Sequence, residues 1–561
     1  MHASVKSFDP RAQTRTPGEP LVWLCSIGLS LGLLMVVGLL SVIVVNGLSV
    51  FWARPVAQIT FAEGNPASFM GAKSIAGEVT KQREKIIPDV EVREAMLARG
   101  ERPTEWQMFV ANKDVYGLNF LYVDRQSVAA VTWPRDIMRI ERTEYGDVIG
   151  FPTALTLQDG TTVPSTDMAF YGKLQALSKE AGERRHEIMR IERGEIGKIN
   201  ASMQNLRLDQ KAAGEGTAEF QRIEGEIAEL QKQYETLATK AGALRQRQGE
   251  NQFTYRLATG HEQTIPVGQV VGFYYPNQLG WTQRLGLLFQ RGWNFLTEEP
   301  REANTEGGIF PAIFGTCVMT LLMSILVTPF GVLAAIYLRE YARQGFFVRA
   351  VRIAVNNLAG VPSIVFGVFG LGFFVYFVGG TIDSLFFQRT LPTPTFGTGG
   401  ILWAALTLSL MTVPVVIVAT EEALSAVTRG QREGSLACGA SKWQTIQHIV
   451  LPSAVPGILT GLILAMARGA GEVAPLMLVG VVKLAPSLPL DTIWPFVHLE
   501  RKFMHLGFHI YDLGFQSPDS EAAKPMVFAT TLLLIVLVVM LNLGAIILRE
   551  RIRRRYRTGA F

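Results

Sequence analysis

The chain has 561 residues, more than one compact domain needs, and is 48% hydrophobic, yet it contains 53 Lys and Arg and 48 Asp and Glu residues. This mixture indicates a membrane protein with a sizeable water-exposed part. The net charge of +5 does not point to nucleic acid, because the basic excess flanks apolar segments, as it does on the cytoplasmic side of membrane proteins. Three cysteines, Cys25, Cys317 and Cys438, show no metal-like spacing and argue against a disulfide framework.

Six apolar runs are long enough to cross a membrane, which needs about 20 helical residues. The first, residues 21–46, lacks a small-residue cleavage site and is predicted to be an uncleaved anchor. The other five are predicted near 309–338, 352–378, 401–420, 454–480 and 526–548. Basic residues before the first run and after the last predict that both tails, 1–20 and 549–561, are cytoplasmic. The arginines of the loop between the second and third runs agree with this orientation.

By the same parity, residues 47–305 are predicted to form a periplasmic α+β domain. Short runs bounded by turn residues predict strands at Leu118–Val123, Ala154–Leu157, Phe253–Leu257 and Gln269–Tyr275. Between about 165 and 250, a heptad seam predicts two helices of an antiparallel coiled-coil hairpin, broken at Gly214–Gly216. Pairing between two chains is the alternative use of that seam. No catalytic constellation is found in this domain, and we interpret it as a docking or spacing device.

The segment between the fourth and fifth predicted spans carries the pattern on which the functional prediction depends. It reads Glu433-Gly434-Ser435-Leu436-Ala437-Cys438-Gly439, then nine residues, then Ile449-Val450-Leu451-Pro452. This spacing resembles the EAA loop of bacterial ABC import permeases, with small Gly434 and Ser435 in place of the usual alanines. Small side chains and Gly439 predict a tight helix–turn–helix that an ATPase approaches closely, and Pro452 suits the start of the next helix.

Gly434 and Gly439 also have Walker-like spacing, but Ala440-Ser441-Lys442 follows where a P-loop requires Lys and then Ser or Thr. No other segment of the sequence supplies a P-loop. The chain is therefore predicted to be a transport subunit and not an enzyme, binding no cofactor or metal and depending on a separate ATPase that uses ATP. The predicted coupling residues are Glu433, Gly434, Ser435, Gly439, Ile449, Leu451 and Pro452. An ordinary amphipathic loop is the alternative.

Three further segments resemble phosphate permeases: Gly360–Gly367 (GVPSIVFG), Ala440–Trp443 (ASKW) and Arg468–Pro475 (RGAGEVAP). Together they resemble the PstA-type subunit over about 309–548, whereas the long insertion before that region departs from the shorter form of the family. The resemblance implies six transmembrane helices in an ABC importer permease fold, located in the cell inner membrane. It also implies inorganic phosphate as substrate and three partners: a PstC-type second permease, a PstB-type ATPase dimer and a periplasmic phosphate-binding protein.

Other readings stay open at this point. Within the class, the substrate alternatives are sulfate, molybdate and phosphonate. From other classes, the alternatives are an envelope signalling or tethering protein, suggested by the predicted coiled coil, and a secondary transporter.

Arg468 and Glu472 are the predicted residues of the substrate path. They are one turn apart on a predicted spanning helix and hence on one face. Ionisable groups inside spans usually face a partner or a water-filled path, and a guanidinium holds an oxyanion by two parallel hydrogen bonds. A nearby carboxylate repels fully ionised sulfate but accepts a proton from hydrogen phosphate. A purely structural ion pair is the alternative.

Two further groups of residues are assigned more modest roles. Gly360, Pro362 and Gly367 are predicted to allow close helix packing within the third span, with a broken, movable helix as the alternative. His498, His505 and His509 are spaced so that a helix would bring them together as metal ligands do. Without an accompanying carboxylate pattern we interpret their segment as an interfacial amphipathic one.

Overall fold

A computed structural model describes residues 20–62, 72–85, 104–214, 216–491, 494–517 and 520–557. Within these ranges, six helices are long and apolar enough to cross a membrane, as the sequence predicts. The predicted cytoplasmic tail up to residue 19, position 215 of the hairpin break and the end of the basic tail from residue 558 lie outside the described residues.

The first helix, α1, extends from Pro20 to Ser49. Residues 23–42 are exposed throughout, and a helix that is apolar on every side without protein cover belongs in lipid. Near its end the helix meets the last helix of the chain, where a Cβ on Gly47 would lie 3.0 Å from the side chain of Leu532. The predicted anchor is thus a helix of spanning length.

After α1 the chain forms two antiparallel sheets, with strand orders β4-β3-β2-β1-β5 and β10-β9-β7-β6-β11, and β8 pairs with β7. The strands are β1 Ala57–Phe61, β2 Ser74–Glu84, β3 Thr104–Phe109, β4 Phe120–Asp124, β5 Val128–Thr132, β6 Met138–Arg142, β7 Val148–Thr156, β8 Thr162–Pro164, β9 Gln252–Arg256, β10 Glu262–Pro266 and β11 Val270–Tyr274, with a short helix, α2, at Lys113–Tyr116. The four runs predicted as strands overlap β4, β7, β9 and β11.

The two sheets share one hydrophobic core. Ile59 and Met108 from the first sheet and Phe253 and Tyr255 from the second are all fully buried and belong to the same packed cluster. Inward-facing residues alternate with more exposed ones along β1, as expected for a strand with one buried face. The sheets therefore form one domain, residues 57–275, which we call the inter-span domain.

A long helical hairpin rises from the inter-span domain between β8 and β9. Its first arm is α3, Ala169–Met189, followed by a π-helical stretch, Arg190–Ile196, and α4, Gly197–Ala213; its second arm is α5, Ala218–Gln248. The arms run antiparallel, with Glu187 paired to Lys240 at 2.9 Å. Near the hairpin tip, Asp209 lies 3.1 Å from Arg389, which belongs to a loop between two membrane helices. The hairpin therefore reaches back from its base to the membrane part of the protein.

A short stem joins the inter-span domain to the second candidate span. It consists of α6, Trp281–Thr297, and a two-stranded ribbon of β12, Pro300–Arg301, and β13, Glu306–Gly307. Glu306 of β13 lies against Gly146 and faces the carboxylate of Asp147, with the guanidinium groups of Arg139 and Arg301 also nearby. Burial and the Asp147 carboxylate raise the pKa of Glu306 from 4.5 to about 8.

The docking of the inter-span domain on this stem is expected to weaken as the pH rises. The folded protein holds a proton on Glu306 that the unfolded chain releases near 4.5, so the stability gained from that proton is complete below 4.5 and is lost as the pH rises through about 8. Glu306→Gln stays neutral and should flatten the fall of the apparent Tm over this window. Equal slopes for the wild type and the variant would contradict the assignment.

The membrane part then follows in chain order. Its helices are α7 Phe310–Ile336, continued by a π-helical turn to Tyr341; α8 Phe346–Leu358; α9 Ser363–Phe386, π-helical over Gly370–Gly379; α10 Ile401–Ala426; α11 Arg429–Ala437; α12 Lys442–Gly471, π-helical over Ile446–Val450; α13 Leu476–Val479; α14 Leu506–Tyr511; and α15 Ser520–Arg557. The spanning helices among them are α7, α9, α10, α12 and α15, which together with α1 make six.

The predicted third span, 352–378, is wrong in its bounds. The separate helix α8 ends at Leu358, and the spanning helix α9 begins only at Ser363. Gly360 and Pro362 lie in the exposed turn between them and pack no helices together in the described chain, contrary to the prediction. Apolar composition runs through this turn without a break, but Pro362 restricts the residue before it to extended backbone and so separates two helices.

The predicted fifth span, 454–480, is also displaced. Helix α12 begins at Lys442 and ends at Gly471, so Glu472 lies just past the helix with extended backbone (φ −79°, ψ 135°). Pro452, predicted near the start of a helix, lies inside this continuous one. The N–H of Leu451 bonds to the carbonyl of Ile446 five residues back, and this wider π-helical turn accommodates a proline that donates no hydrogen bond.

Small residues let α12 approach α10 closely. A Cβ on Gly457 would lie 2.5 Å from the Cβ of Ala423, and one on Gly461 would lie 2.4 Å from that of Ala419. This small-residue spacing of four is the usual means by which membrane helices pack in the absence of a hydrophobic driving force. Gly367 of α9 plays the same role against the chain after α12, since its Cβ would lie 2.7 Å from the Cα of Pro475.

Replacing Gly367 with alanine is expected to destabilise the membrane part. The added methyl would overlap the backbone at Pro475, which cannot rotate away, and overpacking of this kind costs about 1–3 kcal/mol. Gly372→Ala is the matched control, because no atom lies within 4 Å of the methyl it would add. The measurement is the apparent Tm of each purified variant in detergent, and equal values for the two would refute the packing role.

The three histidines of the last loop do not lie on one helix, so no shared helix face brings them together as metal ligands. His498 lies in an irregular segment, where its ring nitrogens face Asp491 at 3.1 Å and Glu500 at 3.2 Å. His505 precedes α14 and His509 lies within it, and both are buried. Among the described residues, no group of three or more His, Cys, Asp and Glu side chains is arranged to hold a metal ion.

Candidate functional site

The segment from Glu433 to Pro452 begins on the short helix α11, which ends in a tight glycine turn. Gly439 adopts φ +85°, the left-handed region that other residues enter only with strain. Its N–H bonds to the carbonyl of Leu436 at 3.0 Å, and the N–H of Ala440 bonds to that of Ser435 at 3.2 Å. These two bonds form a Schellman motif, which satisfies the last carbonyls of the helix and reverses the chain.

The next helix starts immediately after this turn. The Ser441 hydroxyl accepts a hydrogen bond from the N–H of Gln444, and the Gln444 side chain accepts one from the N–H of Ser441. This reciprocal capping box fixes the start of α12. Across the turn, the hydroxyls of Ser435 and Thr445 lie 3.0 Å apart and join the two helices. The predicted helix–turn–helix is therefore present, held by bonds local to the turn.

Two cations attach this helix–turn–helix to the end of α7. Arg432 of α11 pairs with the Glu340 carboxylate at 3.0 Å, and the two side chains are 23% and 10% exposed. Lys442 at the start of α12 donates to the Glu340 backbone carbonyl and lies 4.9 Å above the ring of Tyr341. Sequence reasoning missed these residues because their partners are about a hundred positions apart along the chain. Helix α11 is thereby attached to α7 as well as to α12.

The outer surface of α11 is left uncovered. No residue of this helix is buried, and the positions where Gly434 and Gly439 would carry a Cβ are open. Leu436 and Trp443 beside them are 49% and 50% exposed. A flat backbone surface with two large apolar side chains at its edge suits contact with another protein.

The seven predicted coupling residues divide into two groups. Glu433, Gly434 and Gly439 are exposed, and Ser435 is half-buried at the turn. Ile449, Leu451 and Pro452 are half-buried on α12, next to Val450, which packs in a cluster formed by the ends of α7, α10 and α12. The first group thus presents the surface, and the second connects that surface to the membrane helices.

Arg468 and Glu472 lie at the other end of α12. Their closest charged atoms are 3.8 Å apart, and the side chains are 35% and 22% exposed. Arg468 is in the last helical turn, where a cation interacts favourably with the helix dipole. At 1.5 Å per residue, it lies about 39 Å along the helix axis from Lys442. One helix therefore joins the two predicted sites.

The structure also brings two of the family-like segments together. Gly367, in the segment Gly360–Gly367, packs directly on Pro475, the last residue of Arg468–Pro475. Gly370, one turn further along α9, would place a Cβ 2.2 Å from the hydroxyl of Thr407 on α10. The chain just after Glu472 thus packs against α9, which in turn packs against α10.

Comparison with known proteins places the matched region in the membrane part. A family model described as binding-protein-dependent transport system inner membrane component matches residues 327–558. Phosphate transport system permease protein PstA 1 of Mycobacterium tuberculosis (strain H37Rv) is 35% identical over 251 residues, which cover 45% of this chain and 72% of the relative. PstA of Yersinia pestis is 33% identical over 250 residues, covering 45% and 74%. The inter-span domain lies outside the family model's match.

The other similarities have lower sequence identity. A probable ABC transporter permease protein of Bacillus subtilis, YqgH, is 32% identical over 36% of this chain, which spans 61% of that relative. Among solved structures, the inward-facing MetNI methionine ABC transporter matches with 18% identity and a TM-score of 0.32, over 43% of this chain and 94% of that chain. A bacterial alginate-importing ABC transporter matches with 18% identity and a TM-score of 0.33, over 46% and 82%. These structural similarities are too weak to assign an assembly or a conformation to this chain.

Proposed function

The chain belongs to the PstA-type family of ABC transporter permeases, and from this premise we propose that it is the membrane-spanning subunit of an ATP-driven importer of inorganic phosphate. A permease of this family is a transport subunit and not itself an enzyme. ATP is hydrolysed by a separate ATPase dimer of the PstB type. A PstC-type second permease completes the pathway, and a periplasmic phosphate-binding protein delivers the anion.

The observation that carries this proposal is the exposed helix–turn–helix at Glu433–Pro452. Its surface is flat because Gly434 and Gly439 have no side chains, and its back is joined to α7 through Arg432 and Glu340 at 3.0 Å. A nucleotide-driven ATPase seated on α11 would therefore displace α7 and α12 together as a rigid group. Under this proposal the segment, and with it both chain termini, lies on the cytoplasmic side.

Arg468 and Glu472 are proposed to contact the anion. A guanidinium offers two parallel donors to a phosphate oxygen pair, while the adjacent carboxylate accepts a hydrogen bond from the P–OH group that hydrogen phosphate has and sulfate lacks. At 3.8 Å, the two side chains are too far apart for a direct hydrogen bond, so the pair can separate when the anion arrives. Two PstA relatives named as phosphate transport permeases support the choice of phosphate over other oxyanions.

With this orientation the inter-span domain is periplasmic, and its hairpin acts as a coiled coil that docks or spaces a partner. Support comes from the contact of Asp209 with Arg389, which puts the hairpin tip beside a membrane-helix loop on the proposed periplasmic side. If the chain were instead an envelope tether, deletion of residues 165–250 would abolish function while Gly439 substitutions would be tolerated. The transporter proposal expects the reverse for Gly439.

The proposal is tested by co-purifying the chain with its partner subunits and reconstituting the complex in vesicles. ATP hydrolysis and uptake are measured with phosphate, sulfate, molybdate and phosphonate added in turn, in the presence of the binding protein. We expect stimulation by phosphate and no comparable response to the others. An equal response to sulfate would overturn the choice of substrate, and failure to recover an ATPase would overturn the coupling role.

A further inference from the structure

Helix α8, Phe346–Leu358, lies between two spanning helices but is not itself one of the six candidate spans. Four residues, 342–345, join it to the π-helical end of α7, and four more, 359–362, join it to α9. Four extended residues reach at most about 14 Å. Helix α8 is therefore confined to the level at which α7 and α9 leave the membrane, on the same side as the helix–turn–helix.

One face of α8 packs on the protein. Val348 and Val355, seven residues apart, contact the apolar cluster formed by the ends of α7, α10 and α12. On the same side, Arg352 pairs with Glu421 of α10 at 3.3 Å. These contacts fix the rotation of the helix about its own axis, so its remaining faces have defined directions.

The face turned away from the protein is broad and mostly apolar, with one polar residue, Asn357, near its C-terminal end. Phe346 and Phe347 are 80% and 82% exposed, and Val351 and Ile353 are 46% and 54% exposed. At 100° per residue, these side chains cover an arc of roughly 160°. Two phenylalanines exposed to this degree beside membrane helices are unsuited to water and well suited to the boundary between headgroups and acyl chains.

Cations border this apolar face. Arg349 lies on the edge of α8 between the apolar and protein-facing sides, and Arg339 and Arg343 lie just before the helix; all three are exposed. Among the described residues, these arginines form no ion pair with an acidic side chain. Exposed arginines beside an inserted apolar face complement the negative charge of anionic lipid headgroups.

We propose that α8 is an in-plane membrane helix that inserts Phe346 and Phe347 into the lipid surface and binds anionic headgroups through Arg343 and Arg349. The Arg352–Glu421 pair then connects the lipid surface to the end of α10, just before α11 begins. Bound anionic lipid thereby stabilises α8 against α10, the helix that directly precedes α11. The proposal does not depend on which anion the transporter carries.

The test measures the surroundings of single spin labels on the full chain in vesicles of phosphatidylethanolamine and phosphatidylglycerol. Cys25, Cys317 and Cys438 are first replaced by serine, and Phe347→Cys is then labelled. Collision with oxygen, which concentrates in lipid, is compared with collision with a water-soluble nickel chelate. Asn356→Cys, on an exposed polar position of the same helix, is the matched control. Val351→Cys is a second reporter should the first variant fold poorly.

We expect the labels at 347 and 351 to collide freely with oxygen and little with the nickel chelate, and the label at 356 to show the reverse. A water-exposed label at 347 would overturn the insertion. Protection from both reagents would also overturn it, because this result would mean that the second permease or another protein covers the face. The measurement is repeated with the co-purifying subunits present, to detect cover that forms only in the complex.

The charge component is tested separately. Replacing phosphatidylglycerol with phosphatidylcholine, or introducing Arg343→Gln together with Arg349→Gln, should shift the label at 347 towards water by several-fold in the ratio of the two collision rates. Glutamine keeps the size and hydrogen bonding of the side chain and removes its charge. An unchanged ratio in both experiments would overturn the assignment of these arginines to anionic headgroups.

Discussion

Replacing Gly439 with arginine is expected to abolish uptake while leaving the chain inserted in the membrane. Gly439 adopts φ +85°, where a residue with a Cβ is strained by roughly 1–2 kcal/mol. The arginine would also add bulk and charge to the open surface beside Gly434. Loss of more than about 1.4 kcal/mol of binding energy lowers ATPase affinity by about tenfold or more. The measurements are uptake in vesicles and co-purification of the ATPase.

Two further variants separate strain from obstruction. Asn tolerates the left-handed backbone better than other residues, so Gly439→Asn tests bulk with little strain. Gly434→Ala adds a methyl to the same surface at an ordinary helical position, where alanine favours the helix by about 1 kcal/mol. We expect Gly439→Asn to retain more activity than Gly439→Arg, and Gly434→Ala to fold normally. Wild-type uptake by Gly439→Arg would remove this surface from the coupling interface.

Arg468→Gln is expected to stop phosphate uptake while the subunit still assembles with its ATPase. The pair that Arg468 forms with Glu472 is long, at 3.8 Å, and partly exposed. Such pairs contribute at most about 1 kcal/mol to stability, so the fold should survive the change. The substituted residue also lies about 39 Å along α12 from the helix–turn–helix, too far to disturb ATPase docking directly. The readouts are uptake, basal ATP hydrolysis and co-purification.

The controls distinguish an anion contact from a structural ion pair. Arg468→Lys keeps the charge but lacks the planar fork that binds an oxyanion bidentately, and should therefore raise the KM for phosphate. Glu472→Gln removes the same ion pair from the other side. If the pair were only structural, Arg468→Gln and Glu472→Gln would have matching effects on stability and uptake. Normal uptake by Arg468→Gln would take this residue out of the anion path.

Much of the architecture of the membrane part can be predicted from composition. Six apolar runs predict six spans, because a helix in lipid must satisfy its own backbone and present apolar side chains throughout. The residues at which the spans begin and end are harder to predict. The apolar run continues through Val361 and Pro362 and resumes after Glu472, whereas the helix breaks at the first position and ends at the second. Local backbone restriction, which apolar content does not record, decides where these helices begin and end.

The helix–turn–helix shows the same division within one segment. Its turn depends on neighbours in sequence: Gly439 supplies the left-handed residue, and Ser441 with Gln444 supplies a capping box that is legible three residues apart. Its attachment depends on Glu340, which is distant in sequence and gives no local signal. The sequence predicts Pro452 near the start of a helix. Helix propensities do not indicate the π-helical turn before Pro452, which makes the helix continuous through this residue.

By itself, the sequence determined the number of spans, the tight turn at Gly439, the missing P-loop and the family resemblance, because each depends on composition or on residues a few positions apart. Only the tertiary structure decided that α8 is a separate helix with an uncovered face, that Gly367 packs on Pro475 while Gly360 lies in an exposed turn, and that Arg432 and Lys442 bind the end of α7. These contacts join segments far apart in the chain, and which of them form is settled by packing geometry.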